Sequence, residues 1–221
     1  MIASIIIPLF NQLNFTKSCY FDLIRLKNVE IIFIDNNSTD ATDLFFKDKP
    51  VKYIRLDKNY GFGYAVNRGL ELASTDFMIT LNNDIKVKFN HEDWVTSLVK
   101  ESGDCLVGPT VGYLDSKFNF IKESKVLENR DNAYMSGWCL GANKKTWNLL
   151  KEENYFDERF FVYFEDTDLG FRANQKNIKF KIIDVPLVHF GKQSSKQLNT
   201  KQLYLNSKKI FEDKWKHLIK S

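Results

Sequence analysis

Ser4-Ile5-Ile6-Ile7-Pro8-Leu9-Phe10-Asn11 is the stretch from which the rest of the chain is read. Ser4 to Pro8 is a β-branched run without polar alternation, which suits a strand buried on both faces. Such strands belong to sheets covered by helices, and a helical pattern follows. Asn14 to Lys27 carries Cys19, Leu23 and Leu26 on one face.

Outward from there the alternation continues. Glu30 to Ile34 is a second buried strand, ending at Asp35-Asn36-Asn37-Ser38-Thr39-Asp40, whose short polar side chains close a strand and open a helix. Val51 to Leu56 is a third, short strand. Asn59-Tyr60-Gly61-Phe62-Gly63-Tyr64 turns into a helix with Phe62, Val66 and Leu70 spaced by four. Phe77 to Leu81 is a fourth strand, with Asn82-Asn83-Asp84 at its C-terminal end. Repeated β-α units predict an α/β fold in which ligands bind outside the carboxyl ends of the strands, where Asp35 and Asp84 both fall.

After about residue 100 the pattern turns more antiparallel. Cys105 to Thr110 and Val111 to Ile121 read as extended, Asp166 to Asn174 as a helix, Ile178 to Asp184 as a strand and Leu203 to Leu218 as a terminal helix. No repeat, linker or low-complexity segment appears, so one domain over 1–221 is expected.

A hydrophobic fraction of 43% with 14% aromatics is globular, and 221 residues can bury a real core. Lys+Arg 32 against Asp+Glu 28 gives +4, too weak to argue for nucleic acid. Lysines do recur after His189, at 192, 196, 201, 208, 209, 214, 216 and 220. Cys19, Cys105 and Cys139 are odd in number and share no short spacing, which argues against a disulfide framework or zinc site and for a reducing compartment. The first residues lack a basic n-region and their apolar run is too short for a signal peptide or a span. A cytoplasmic protein is expected.

Several residues can carry chemistry. In Phe156–Asp168, four aromatics within five residues lead into Glu165, Asp166 and Asp168. Charge beside that much aromatic surface suits a partly dry pocket. A buried strand followed by a helix with a dipole-favoured acidic first turn explains it equally plainly. Asp84 beside two asparagines offers oxygen ligands to Mg²⁺ or Mn²⁺, or is a solvated turn. Asp35 is a metal ligand, an acceptor for a nucleobase or ribose, or a helix N-cap, a role for which Ser38 or Asp40 is better suited. Gly61-Phe62-Gly63 begins a dinucleotide fingerprint that Val66 leaves incomplete, although the glycines can still let backbone approach a diphosphate. His189, followed by Lys192, is a core histidine or a metal ligand. In Ser136-Gly137-Trp138-Cys139-Leu140-Gly141-Ala142, Gly137 and Trp138 offer a flat surface to a sugar ring, or form a buried turn.

In this order these motifs, from Ser4 to about Trp215, resemble family 2 glycosyltransferases of the GT-A fold, in particular bacterial rhamnosyl-, galactosyl- and galactofuranosyltransferases. The resemblance implies a Rossmann-like nucleotide-binding half with a mixed central sheet over about 1–100. An acceptor and catalytic half would span about 101–195, and a C-terminal helix about 196–221. It implies inverting transfer from a UDP- or dTDP-sugar to a hydroxyl of a glycan or lipid-linked saccharide in bacterial surface polysaccharide synthesis, with Mn²⁺ or Mg²⁺. By resemblance Asp166 is the general base, with Glu165 or Asp168 as a structural or acceptor-binding partner, and Asp84 and His189 hold the metal. Asn82 stands where the family's Asp-X-Asp motif has its first Asp. The donor site would draw on Pro8, Phe10, Asp35, Asn37, Asn59, Gly61, Gly63, Asn67, Asn83, Asp84, Gly137, Trp138 and Lys192.

Two other readings compete. One is a non-catalytic binder of carbohydrate or nucleotide-sugar on the same fold. The other is a sugar nucleotidyltransferase, discounted because Pro8-Leu9-Phe10-Asn11-Gln12 lacks the glycine and lysine of a phosphate loop. The terminal helix sets Tyr204, Ser207, Phe211, Trp215 and Leu218 on one side among lysines. That face either lies on the inner surface of the cell membrane or docks on its own domain.

Overall fold

The computed structural model describes residues 1–88, 94–191 and 200–218. The first half alternates β1 (Ala3–Leu9), α1 (Leu13–Leu23), β2 (Val29–Asp35), α2 (Thr42–Phe46), β3 (Lys52–Arg55), α3 (Phe62–Leu72) and β4 (Phe77–Leu81). β5 (Ile85–Val87), α4 (Trp94–Ser102), β6 (Leu106–Gly108), β7 (Val111–Leu114), β8 (Phe120–Ser124), β9 (Ala133–Met135) and β10 (Cys139–Asn143) follow. Then come α5 (Lys144–Leu150), α6 (Glu165–Gln175), β11 (Phe180–Ile182), β12 (Leu187–His189) and α7 (Thr200–Trp215).

β1 is buried throughout, and its alternate side chains serve two cores. Ile5 and Ile7 pack with Cys19, Tyr20 and Leu23 of α1. Ile6 packs on the other face with Val66 and Leu70 of α3 and Trp147 of α5. A strand covered by helices on both sides has no wet face, hence no polar alternation.

The seven-stranded sheet runs β3-β2-β1-β4-β10-β6-β11. β1, β2, β3 and β4 are parallel, with Ile5 opposite Ile31 and Ile79. β10 is antiparallel to both β4 and β6, so the sheet is mixed. Two small sheets sit beside it. β5 pairs with β12, Ile85 opposite His189. β7 pairs with β8 and β9.

Two expectations change. Val111 to Ile121 is two antiparallel strands, because Asp115 Oδ1 accepts from the amides of Lys117 and Asn119 and closes a turn between them. Phe160 to Phe164 is a loop and not a strand. Tyr163 (φ 69°) and Phe164 (φ 67°) are both left-handed, strained for bulky residues and held by packing.

α7 supplies that packing. Phe211 and Trp215 are buried among Phe118, Phe164 and Phe171, and Ser207 Oγ donates to the Val162 carbonyl at 2.7 Å. The apolar face of the terminal helix is thus taken up by its own domain; at its end Leu218 remains exposed. Among the described residues no helix is long and apolar enough to cross a membrane.

Candidate active site

Asp84 sits in the turn between β4 and β5, fixed from three sides. The Asn82 amide donates to the Trp138 carbonyl at 2.9 Å, the buried Asn83 side chain donates to Thr16 Oγ1 at 3.0 Å, and the Asp84 carbonyl accepts from the Phe190 amide. The β5–β12 pairing brings His189 to it, with Nε2 3.1 Å from Asp84 Oδ1. Asn82 Nδ2 lies 3.3 Å from the same nitrogen. The Trp138 ring stacks on the imidazole at 4.8 Å and 12°.

This donor set suits a hard divalent cation. Two neighbouring ligands of one ion at ordinary bond lengths lie about 3 Å apart, as Nε2 and Oδ1 do. Asn82 Oδ1 is buried without a hydrogen-bond partner among the described residues, and a half-turn of the amide brings it toward His189.

Glu165 and Asp166 open α6. Asp166 Oδ2 accepts from the Gly137 amide at 2.8 Å and Oδ1 from the Thr167 amide at 2.7 Å. Gly137 is needed for this approach, since a Cβ there would stand 2.9 Å from Asp166 Cβ. Burial raises the Asp166 carboxyl above its ordinary value, opposed by those two amides. Burial also pushes Glu165 up, to about 8, and the neighbouring Asp166 charge adds to it. Glu165 Oε2 is buried with no hydrogen-bond partner among the described residues.

Both groups face one cleft of about 340 Å³. Pro8, Phe10, Asn59, Gly61, Asn83 and Asp84 line it. So do Gly137, Trp138, Glu165, Asp166 and His189. Asp35, Asn37, Gly63 and Asn67 are not among the lining residues. Asp35 is fully buried, its Oδ1 accepting from the Ser38 amide and Oδ2 from the Tyr53 hydroxyl at 2.6 Å. Asn37 bonds Arg55 and the Asp57 carbonyl. Asn67 clamps the Phe156 backbone through both its amide and its carbonyl, at 2.8 and 2.9 Å. Gly63 packs against the Phe156 side chain. Beside Gly61 (φ +94°) the Phe161 carbonyl would lie 2.2 Å from a Cβ, so this glycine lets the aromatic loop dock on α3. Lys192 lies outside the described residues.

Sequence reasoning did not single out Phe120, Glu123 and Tyr134, which also line the cleft. A pair of adjacent apolar residues in the otherwise polar Phe120-Ile121-Lys122-Glu123-Ser124 was the available signal.

Asp168 has another task. Buried completely, it meets Arg172 Nε at 2.9 Å, Trp215 Nε1 at 2.9 Å and Lys214 Nζ at 2.9 Å. Glu152, Asp157 and Asp168 cluster as a metal site would, but Lys214 already contacts all three, at 2.9 to 3.1 Å.

The fold is that of GT-A glycosyltransferases. It superposes on Staphylococcus aureus TarS, solved with UDP-GlcNAc, with a TM-score of 0.60 at 18% identity, covering 88% of this chain and 61% of that one. The mannosyltransferase PcManGT from Pyrobaculum calidifontis, solved with GDP-Man and Mn²⁺, gives 0.54 at 15% identity over 82% and 57%. The amylovoran biosynthesis glycosyltransferase AmsB of Erwinia amylovora is 26% identical over 217 residues, 85% of this chain and 68% of that protein. The chain thus spans about two thirds of the length of these proteins, or less. Residues 4–169 match the model of glycosyl transferase family 2, and the chain belongs to that family.

Proposed function

We propose that the protein is an inverting glycosyltransferase. It moves a sugar from a UDP- or dTDP-linked donor to a hydroxyl of a glycan or lipid-linked saccharide during surface polysaccharide synthesis. The observation that carries this reading is one cleft bounded by Asp84 with His189 and by Glu165 with Asp166. The nucleotide-sugars bound by TarS and PcManGT, and the biosynthetic role of AmsB, support it.

In this reading Asp166 takes the proton of the acceptor hydroxyl as that oxygen attacks the anomeric carbon. The new C–O bond forms as the bond to the diphosphate breaks, and the anomeric configuration inverts. The Gly137 and Thr167 amides fix the carboxylate for this task. Asp84, His189 and the Asn82 amide oxygen would hold Mn²⁺ or Mg²⁺, which when bound supplies positive charge against the departing diphosphate. That charge is needed, because among the described residues no lysine or arginine lines the cleft. Lys192 is assigned to the same diphosphate. Pro8, Phe10, Asn59, Gly61 and Asn83 form the donor wall, Trp138 backs the ion site, and Asp35 and Asn37 order the loop beside the nucleobase. The free thiols Cys19, Cys105 and Cys139 fit a reducing, cytoplasmic setting.

Thermal-shift measurements with UDP, GDP and dTDP, with and without Mn²⁺, test this. One nucleotide should stabilise the protein in an ion-dependent manner, and its sugar conjugate should be slowly hydrolysed. No stabilisation by any of the three sinks the proposal. Stabilisation without hydrolysis or transfer leaves a binding protein instead.

A further inference from the structure

Phe120 is 56% exposed, yet it lines the cleft and stands on a firmly anchored hairpin. Two residues earlier Phe118 turns inward (φ 59°) and is buried against Phe171 and Phe211. Lys208 of α7 donates to Asn119 Oδ1 at 2.5 Å. The ring of Phe120 therefore stays in water with its backbone fixed, the condition of a binding surface rather than of a loose loop. Three residues on, past the irregularity that shifts the β7–β8 register and leaves both residues lining the cleft, Glu123 Oε1 accepts from Thr110 Oγ1 and from Trp138 Nε1, at 2.5 and 3.3 Å. It is thereby tied to the tryptophan that backs His189. Glu165 Oε2, buried in the same cleft, has no partner among the described residues.

We propose that Phe120, Glu123 and Glu165 form the acceptor-sugar subsite, and that the ring seated there is uncharged. The apolar face of the sugar stacks on Phe120, and its hydroxyls hydrogen-bond with Glu123 and Glu165. This rests on the transferase reading above. The charge follows from the lining: its acids are Asp84, Glu123, Glu165 and Asp166, with no lysine or arginine among the described residues. One of these acids is matched by the donor's cation and burial keeps the Glu165 proton in place, which leaves Glu123 and Asp166 as the carboxylates that accept from hydroxyls. A carboxylate on the ring would face them unpaired, a built-in rejection of uronic acids.

Saturation-transfer NMR on the full chain with UDP and Mg²⁺ tests the subsite with methyl β-glucoside, methyl β-galactoside, methyl β-N-acetylglucosaminide and methyl β-glucuronide. At least one neutral glycoside should receive saturation on its ring protons, and the glucuronide should not. Phe120→Ala should weaken the neutral ligand about fivefold, while Phe120→Tyr, which keeps the ring, should retain it. Equal signal from the glucuronide, an unaffected Phe120→Ala, or no glycoside signal at all overturns the subsite. The nucleotide thermal shift separates the two ideas. A shift without glycoside binding overturns the subsite alone. Phe120-dependent glycoside binding without any nucleotide shift supports the subsite and sinks the donor reading.

Discussion

The wall that carries Asp84 and the wall that carries Asp166 reach one cleft by different routes. Asp84 is set by the end of a parallel strand, a turn pinned to α1, and a short strand pair that delivers His189. Asp166 opens a helix whose approach loop is strained and whose position depends on α7, some forty residues later. The first wall is a property of the sheet. The second is a property of long-range packing, and it should fail under different insults.

The largest effects should separate the walls by chemistry. Asp166→Asn should lower transfer by roughly 10²- to 10⁴-fold, the range of a lost general base, and keep the ion-dependent nucleotide shift. Asp84→Asn should lose both. Steady-state transfer or donor hydrolysis alongside thermal shift decides it. If Asp166→Asn transfers normally and Glu165→Gln is dead, the base is one residue earlier.

Stability comes next. Asp168→Ala leaves Arg172 buried without its carboxylate partner and should cost about 3–5 kcal/mol in urea unfolding. Asp35→Asn, which perturbs hydrogen bonds at the C-terminal end of β2, should cost about 1–3 kcal/mol. The reverse order would break the contrast between a self-sufficient wall and a dependent one.

Gly61→Ala tests the joint between them. With a Cβ aimed at the Phe161 carbonyl and a positive φ, it should cost about 1–3 kcal/mol and loosen the aromatic loop, read as faster proteolysis there.

The last test is a slope with pH. Burial raises Glu165, so the folded protein holds that proton more tightly than the unfolded chain. The stability this gives is complete below the ordinary glutamate range, and is lost as pH rises through about 8. Glu165→Gln has no such proton, so its Tm should fall less than the wild type's between about pH 5 and 8.

The same contrast marks what the sequence discloses. β4 runs from Phe77 to Leu81 as its apolar pattern predicts, because a doubly covered strand has one local signature. That Asp84 lines the cleft follows from its place past a strand end, where such sheets bind ligands. Asn67 and Gly63 carry a donor role by resemblance, and the structure uses both to hold the Phe156 loop, a contact across some ninety residues that no local pattern encodes. Phe160 to Phe164 looks like a strand because aromatic runs favour strands; docking on α3 and α7 bends it instead. Phe120 was passed over because only the anchored Phe118 shows which way it must face.

Lys214 has an experimental consequence. Three carboxylates gathered within reach of one another repel, and the ammonium of Lys214 neutralises that corner from within the chain. Chelators should therefore leave this corner untouched, so among the described residues EDTA sensitivity of the native protein points to the cleft. Lys214→Met would leave Glu152, Asp157 and Asp168 facing one another without that charge, and the melting point should fall below the native protein's.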